Sequence, residues 1–454
     1  MLLPPIDSIV PGPVPLCGQE QVCRAGAQGQ SSSKVPVAAP APFLRESAAA
    51  GLTLDMVVRT TLERNPALEV FRQQRGIAQA GVVIARTYPY NPIVSAQLLD
   101  VHGAASPVLN SFQYQPVANL QLEVRGQRHF RKQAAFAALK RTDWEIAFQE
   151  VSFAVGAVRT FDTLLYRQAK LGVTEEFVRL NQAAAEQVKR LVDGAVLKPA
   201  DLLLTQAEVT DVQSQLGLGR TALAAAQRDL ARAMGITDVA ELRASGTMAR
   251  PVPSTRSEDL LEAALEHRPD LFAQQAAVAE AEARVRLQIA DRYGNPTLGP
   301  GYEFDPGRLS YVGGQISLPI PIFNRRQGEI QQLQAQAAQV RSKLKQTEVE
   351  IRQDVAAAVQ RLAEAQAWVK NYQNDVLPPL QRLLETMERL FKQGEPGTDV
   401  LRVLDFRRKL IRAHDGYLDA LWTYSQALAE LAQAVGDPAV AMGVYQPPAQ
   451  ADER

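Results

Sequence analysis

Few side chains in this sequence are suited to bond making or metal binding, and they are not spaced for either. Cys17 and Cys23 are the only cysteines, and both sit in an N-terminal tail. They give the body of the chain neither a disulfide framework nor a zinc cluster. His102, His129, His267 and His414 are scattered, and each reads as a solvated or locally bonded side chain rather than a metal ligand. The sequence has no Walker phosphate loop, no Gly-x-Ser-x-Gly, no His-Glu-x-x-His and no Cys-x-x-Cys. Asp and Glu recur at helix spacing among Lys and Arg, the pattern of solvated faces with weak ion pairs. Neither an enzyme nor a resident metal or cofactor is expected.

Charge excludes another class. Lys+Arg is 49 and Asp+Glu is 49, so the net charge is zero. A nucleic-acid binder usually carries a basic excess, so none is expected as a partner. No apolar run reaches the roughly 18 residues that a membrane helix needs. If this chain crosses a membrane, strands must do it. Residues 1–50 are rich in Pro, Ala, Ser and Gly and read as a disordered tail. An exported chain is expected to open on a basic stretch and an apolar run. Here prolines interrupt every apolar run, and Val14-Pro15-Leu16 before Cys17 lacks the small residue that precedes a lipidated cysteine. The opening reads as an unusual or misplaced start, or as that of a chain that is not exported.

The body reads as an internal duplication. Leu62-Glu63-Arg64-Asn65-Pro66-Ala67-Leu68 returns as Leu265-Glu266-His267-Arg268-Pro269-Asp270-Leu271. Tyr90-Asn91-Pro92 returns as Gly294-Asn295-Pro296, and Leu230–Gly235 as Leu431–Gly436. The offsets of 203, 204 and 201 are collinear and nearly constant. The expected domains are a tail (1–50), a first repeat (51–250), a second repeat (251–437) and a C-terminal tail (438–454).

Each repeat is predicted to hold the same elements. A short helix (53–64, 257–268) ends where proline pushes the preceding residue out of the helical region. A second helix (67–88, 270–292) ends at Asn-Pro. Two strands follow (93–101 and 112–124; 297–305 and 309–318), then a very long helix (128–192, 325–392), a glycine turn and a last helix (199–235, 399–435) stopped by glycine. The strands alternate. Tyr114, Pro116, Ala118 and Leu120 share one face, while Gln113, Gln115, Asn119 and Gln121 share the other. Such a strand suits a membrane barrel or a sheet with one solvated face. In the second long helix, Leu333, Ala337, Val340, Leu344, Thr347, Ile351, Val355, Ala358, Leu362, Ala365, Val369, Tyr372 and Val376 form a heptad seam with one stutter. Pro378-Pro379 is expected to kink or break that helix.

Four strands cannot close a barrel, and open edges are not tolerated in lipid. A membrane barrel would therefore be shared between chains. At this point the sequence resembles the TolC-like outer membrane factors of tripartite efflux systems, over residues 52–437. Gly314–Gly328, with its Leu318-Pro319-Ile320-Pro321-Ile322-Phe323-Asn324 run, is similar to the family's strand-to-helix signature. Arg268-Pro269-Asp270-Leu271 and Val403-Leu404-Asp405 resemble two further family elements. Gly126-Gln127-Arg128 resembles a Gly-Lys-Arg element of the heavy-metal branch.

The resemblance implies a mainly α fold with a β-barrel part. Helical hairpins would form an α-barrel through the periplasm, and four strands per chain would complete a twelve-stranded barrel in a homotrimer. It also implies an outer-membrane location, passive export, and docking to a periplasmic adaptor and an inner-membrane pump. The matching docking residues are Leu191, Gly194, Leu390 and Gly394 at the hairpin tips, where the glycines are expected to supply positive φ. The matching gate position is Asp405. Arg402 stands where the family often has a second carboxylate, so a salt-bridged ring is expected in place of an acidic one. The other reading is a soluble coiled-coil scaffold or periplasmic adaptor. The cargo stays open between metal ions and drugs or other small molecules.

Overall fold

The computed structural model describes residues 51–101, 111–195, 198–237, 242–252, 256–305, 309–393 and 400–444. These all belong to one compact unit, Arg45–Arg454; the other unit, Met1–Leu44, lies outside the described residues, as do Cys17, Cys23 and His102. The chain is mainly helical with a small antiparallel sheet. In order, the elements are α1 (Leu54–Arg64), α2 (Pro66–Arg86), β1 (Ile93–Val101), β2 (Ser111–Gln121), α3 (Gln127–Asp193) and α4 (Pro199–Met234). They continue with α5 (Ser257–His267), α6 (Pro269–Ala290), β3 (Thr297–Phe304), β4 (Ser310–Ser317), α7 (Gln327–Asn371), α8 (Leu377–Lys392), α9 (Val400–Val435) and α10 (Pro438–Met442).

The α1–α2 and α5–α6 junctions follow from proline. Asn65 and Arg268 both precede a proline, and both are extended, with ψ of 116° and 120°. Asn65 also caps α2, its Oδ1 accepting from the N–H groups of Ala67 at 2.8 Å and Leu68 at 3.4 Å. Arg268 has no such cap. Its guanidinium instead clamps Asp270, at 2.7 Å through Nη2, and donates to the Ala434 carbonyl at 3.1 Å.

α3 runs 67 residues, which at 1.5 Å per residue is roughly 100 Å. The heptad seam of α7 packs as its spacing predicts. Ala337, Thr347, Ile351, Val355, Ala358, Leu362 and Ala365 are buried, and most of the residues between them are exposed. The predicted 325–392 helix is not one α-helix. Tyr372–Val376 forms a π-helical turn before α8 begins at Leu377. Pro378 and Pro379 have no N–H to donate back into the helix, and the wider turn absorbs that defect without breaking the rod.

The core lies where the midsection of α3 meets the ends of α4, α5, α7 and α9. Phe161, Leu164, Leu230, Ile351, Leu428 and Leu431 are all essentially inaccessible there. The segment between the two halves crosses this core. Leu52 bridges Ala244, with its N–H on the Arg243 carbonyl at 2.8 Å.

Candidate functional site: a two-faced sheet and the ends of the long helices

The four strands make one antiparallel sheet in the order β1-β2-β3-β4. Its register places Leu98 opposite Tyr114, Tyr114 opposite Phe304, Leu120 opposite Leu298, and Leu298 opposite Ile316. These residues share one face, with Val94, Phe112 and Val312, and that face is mainly apolar, with Asp100 and Ser310 at its loop end. It is also bare: Leu98 is 72% exposed, Ile316 75% and Val312 87%. At its loop end Tyr114 stacks on Phe304 at 5.2 Å and lies beside Tyr302 at 6.0 Å.

The opposite face carries amides and hydroxyls. Gln97 lies across from Gln115, Gly299 from Gln315 and Thr297 from Ser317. The Gln113 amide donates to Glu303 at 2.7 Å. A water-facing core sheet would hide its apolar face, and this one hides neither. The outer edges of β1 and β4 have no partner strand among the described residues. Between β2 and β3 the ladder is interrupted where Pro116 and Pro300, which lack N–H groups, stand in the strands.

β2 ends earlier than its alternation predicts. The Leu122 N–H still reaches the Pro296 carbonyl in the β2–β3 register at 2.8 Å, but Tyr88 takes over beyond it, its hydroxyl donating to the Gln121 carbonyl at 2.7 Å and receiving the Glu123 N–H at 3.0 Å. The alternating pattern runs on through Leu122 and Val124, but these bonds to neighbouring segments win. Residues 102–110 and 306–308, which join the strands of each pair, lie outside the described residues. Asn295, from the repeated Asn-Pro, is buried, with its Oδ1 accepting from Gln127 at 2.6 Å and its Nδ2 donating to Tyr90 at 3.2 Å. The Gln127 bond brings the start of α3 onto the helix–strand junction of the other half.

At the tip of the first hairpin, Leu191 is half-buried and Gly194 is exposed. Gly194 caps α3 with φ −82°, so the expected positive φ is not there. The left-handed residue is Ala195, at φ 58°. The helix runs one residue further than its glycine suggests, with Gly194 N–H still bonded to the Arg190 carbonyl at 3.0 Å. Leu390 is half-buried on α8, and Gly394 lies outside the described residues.

Arg402 and Asp405 are both exposed on the first turns of α9. Asp405 pairs with Lys409 at 2.9 Å, a residue absent from the sequence reading of the gate. Nearby, Arg407 holds Glu388 of α8, and Arg408 pairs with Glu208 of α4.

Two polar clusters fasten α3 to α9 and to the linker, and sequence patterns gave no sign of them. Buried Arg250 pairs with buried Asp162 and donates to the Ala441 carbonyl at 2.6 Å, while Tyr424 donates to the Arg250 carbonyl at 2.5 Å. Burial pushes the Asp162 carboxyl up to about 6, against the pull of Arg250. Lys170 meets Asp415 at 3.3 Å and Asp419 at 3.0 Å. Burial works against its charge, but the bonds to Tyr166 and Asp419 and the field of Asp415 outweigh it, so its pKa rises. Among the described residues no group of three or more His, Cys, Asp or Glu could hold a metal, and no helix is long and apolar enough to cross a membrane.

Comparison with known proteins agrees with this arrangement. Residues 260–437 match the family described as Outer membrane efflux protein. The cobalt-zinc-cadmium resistance protein CzcC of Cupriavidus metallidurans is 22% identical over 408 residues, covering 89% of this chain and 93% of that protein. The fold is that of solved channels. For CusC the TM-score is 0.69 at 17% identity, covering 88% of this chain and 98% of that one. For VceC of Vibrio cholerae it is 0.69 at 16% identity, covering 85% and 96%. Residues 260–437 thus match the outer membrane efflux protein family, and the chain as a whole shares the fold of these solved channels.

Proposed function

We propose that this chain is one subunit of the outer-membrane exit duct of a tripartite efflux system, a passive conduit with no catalytic step. The observation that carries this reading is the sheet. An exposed, mainly apolar face, an opposite face rich in Gln, Asn, Ser and Thr though it also holds Leu99 and Val117, and two open edges suit a wall segment between lipid and a water-filled lumen. A soluble scaffold or adaptor would leave that apolar face in water, at about 25 cal/mol per Å². Three copies would join β4 of one to β1 of the next and close a twelve-stranded barrel. The hairpins α3–α4 and α7–α9 would continue it as a periplasmic tunnel.

The matched order of elements before and after the linker supports a two-fold repeat, with domains at 51–250 and 251–437 between the two tails. Leu191, Gly194, Leu390 and Gly394 at the hairpin tips are the proposed contacts for a periplasmic adaptor that couples an inner-membrane pump. Arg402 and Asp405 are the proposed aperture gate, and Lys409 joins them through its bond to Asp405. Selectivity belongs to the pump, because a wide duct discriminates little. The likeness to a cobalt-zinc-cadmium resistance protein favours divalent metal cations over drugs as cargo.

Outer-membrane fractionation and planar-bilayer conductance test the reading. Trimeric channels in the outer-membrane fraction are expected. A protein recovered wholly in the soluble fraction overturns it. Deleting the gene and challenging cells with metals and drugs separates the cargo classes.

A further inference from the structure

The connector from β4 to α7 leaves its apolar side chains uncovered. Leu318, Ile320, Ile322 and Phe323 are 62, 75, 65 and 92% exposed. Pro319 and Pro321 stand between them and have no N–H to offer a neighbouring strand. Ile322 instead bonds back to the Ile320 carbonyl at 3.0 Å. Leu318, Ile320 and Ile322 keep the sequence parity of Val312 and Ile316, so the apolar alternation runs on past the end of the strand.

Strand length says where this run would lie. β4 has 8 residues. At about 3.3 Å each and a tilt of about 40° it covers roughly 20 Å of depth, short of the ~25 Å apolar band of a membrane barrel. The connector supplies the remainder on the helical side.

Arg325 and Arg326 follow at once, both exposed. Among the described residues Arg325 makes no ion pair, and Arg326 reaches only Asp291, at 4.0 Å. Helix propensity does not account for them, because two cations at a helix N-terminus oppose its dipole. Turn geometry does not either. Arg326 is held at φ 55°, while at the same place before α3 stands Gly126, at φ 73°. The two turns are otherwise alike: Gln127 accepts from the Arg125 N–H and Gln327 from the Arg325 N–H, each at 2.8 Å. The second turn thus carries an arginine where the backbone favours glycine.

We infer that Leu318–Arg326 is a lipid anchor for the membrane leaflet on the helical side. Ile320, Ile322 and Phe323 enter the boundary between acyl chains and headgroups, and Arg325 and Arg326 hold the phosphodiesters of anionic phospholipid. Charge complementarity and continuity with the apolar sheet face select this occupant. The inference rests on the membrane reading above.

The test uses the full chain in vesicles of phosphatidylcholine with brominated acyl chains. Phe323→Trp fluorescence, with the native tryptophans subtracted, is expected to be quenched, as is that of Val312→Trp on the sheet. Quenching of Val312→Trp but not of Phe323→Trp overturns the anchor and leaves the membrane reading standing. Quenching of neither overturns both. The headgroup contact is read as phosphatidylglycerol retained over phosphatidylcholine by the extracted protein in native mass spectrometry. Arg325→Gln and Arg326→Gly are each expected to lower that preference about fivefold, the attraction of one charge to an anionic surface. Arg326→Gly relieves the left-handed strain, so a fall in this variant cannot come from misfolding. An unchanged preference in both variants removes the phosphodiester contact.

Discussion

The Asn65 side chain donates to the Ala233 carbonyl at 2.7 Å, tying the α1–α2 junction to the last turn of α4. In the second half Arg268 donates to the Ala434 carbonyl at 3.1 Å, tying α5–α6 to the last turn of α9. The glycine after each tie closes over the proline step. A Cβ on Gly235 would meet the Arg64 carbonyl oxygen at 2.6 Å, and one on Gly436 would meet Arg268 Cγ at 2.9 Å.

Asn65→Ala is expected to destabilise the extracted protein by about 1–2 kcal/mol, through loss of the α2 cap and of the Ala233 tie. Gly235→Ala is expected to cost more, because the residue sits at φ 68° against a backbone oxygen that cannot retreat. Denaturant titration of each variant measures both. Equal stability of Asn65→Ala and the parent protein contradicts the assignment.

The buried Asp162–Arg250 pair gives a pH dependence of defined sign. The folded pKa of Asp162 is raised from 3.8 to about 6, so the folded state binds the proton more tightly than the unfolded state. This group's contribution to stability is fully present below about pH 4 and is lost as pH rises through about 6. Asp162→Asn is expected to remove that slope between pH 4 and 6. Above about pH 6, where the parent's carboxylate is charged, it also leaves Arg250 without its counter-charge, a loss of about 3–5 kcal/mol. Parallel stability curves for parent and variant across that window would sink the claim.

On the sheet, adjacent residues should answer a charge differently. Leu98 lies on the apolar face and Gln97 on the polar one. Leu98→Arg is expected to cost about 2–4 kcal/mol of membrane stability, the penalty for arginine facing lipid near the midplane. Gln97→Arg should insert normally and alter conductance. Outer-membrane yield and single-channel recording separate the two, and equal yields argue against lipid on the Leu98 side.

At the proposed gate, Asp405→Ala, Arg402→Ala and Lys409→Ala are expected to raise open probability or conductance, with a weaker response to ionic strength. Melting should hardly change, because an exposed i,i+4 pair contributes only about 0.3–0.5 kcal/mol. Unchanged conductance in all three variants moves the aperture elsewhere.

At the hairpin tip, bulky substitution of Gly194 or Gly394 is expected to reduce cargo resistance while the oligomer stays assembled. Ala195→Gly, at φ 58°, should instead stabilise the turn by about 1 kcal/mol. Slower amide exchange around Arg190–Ala195 would report it. Wild-type resistance in the bulky variants places docking away from the tips.

The sequence by itself determined the elements and most of their limits, because local forces set them. Proline at 66 and 269 ends one helix and starts the next, seam residues every three or four positions bury α7, and a period of two divides Gln115 from Pro116 and Ala118. Only the tertiary structure decided the rest. Whether the two strand pairs join is a matter of long-range pairing, and β2–β3 contact through Leu120 and Leu298 leaves no local mark. The left-handed residue at the tip is Ala195 rather than Gly194, since helix length is fixed by packing along α3 and not by the nearest glycine. Arg250 and Asp162, far apart in the chain, meet only once the linker crosses the core, and a lone arginine beside Pro251 carries no periodic signal.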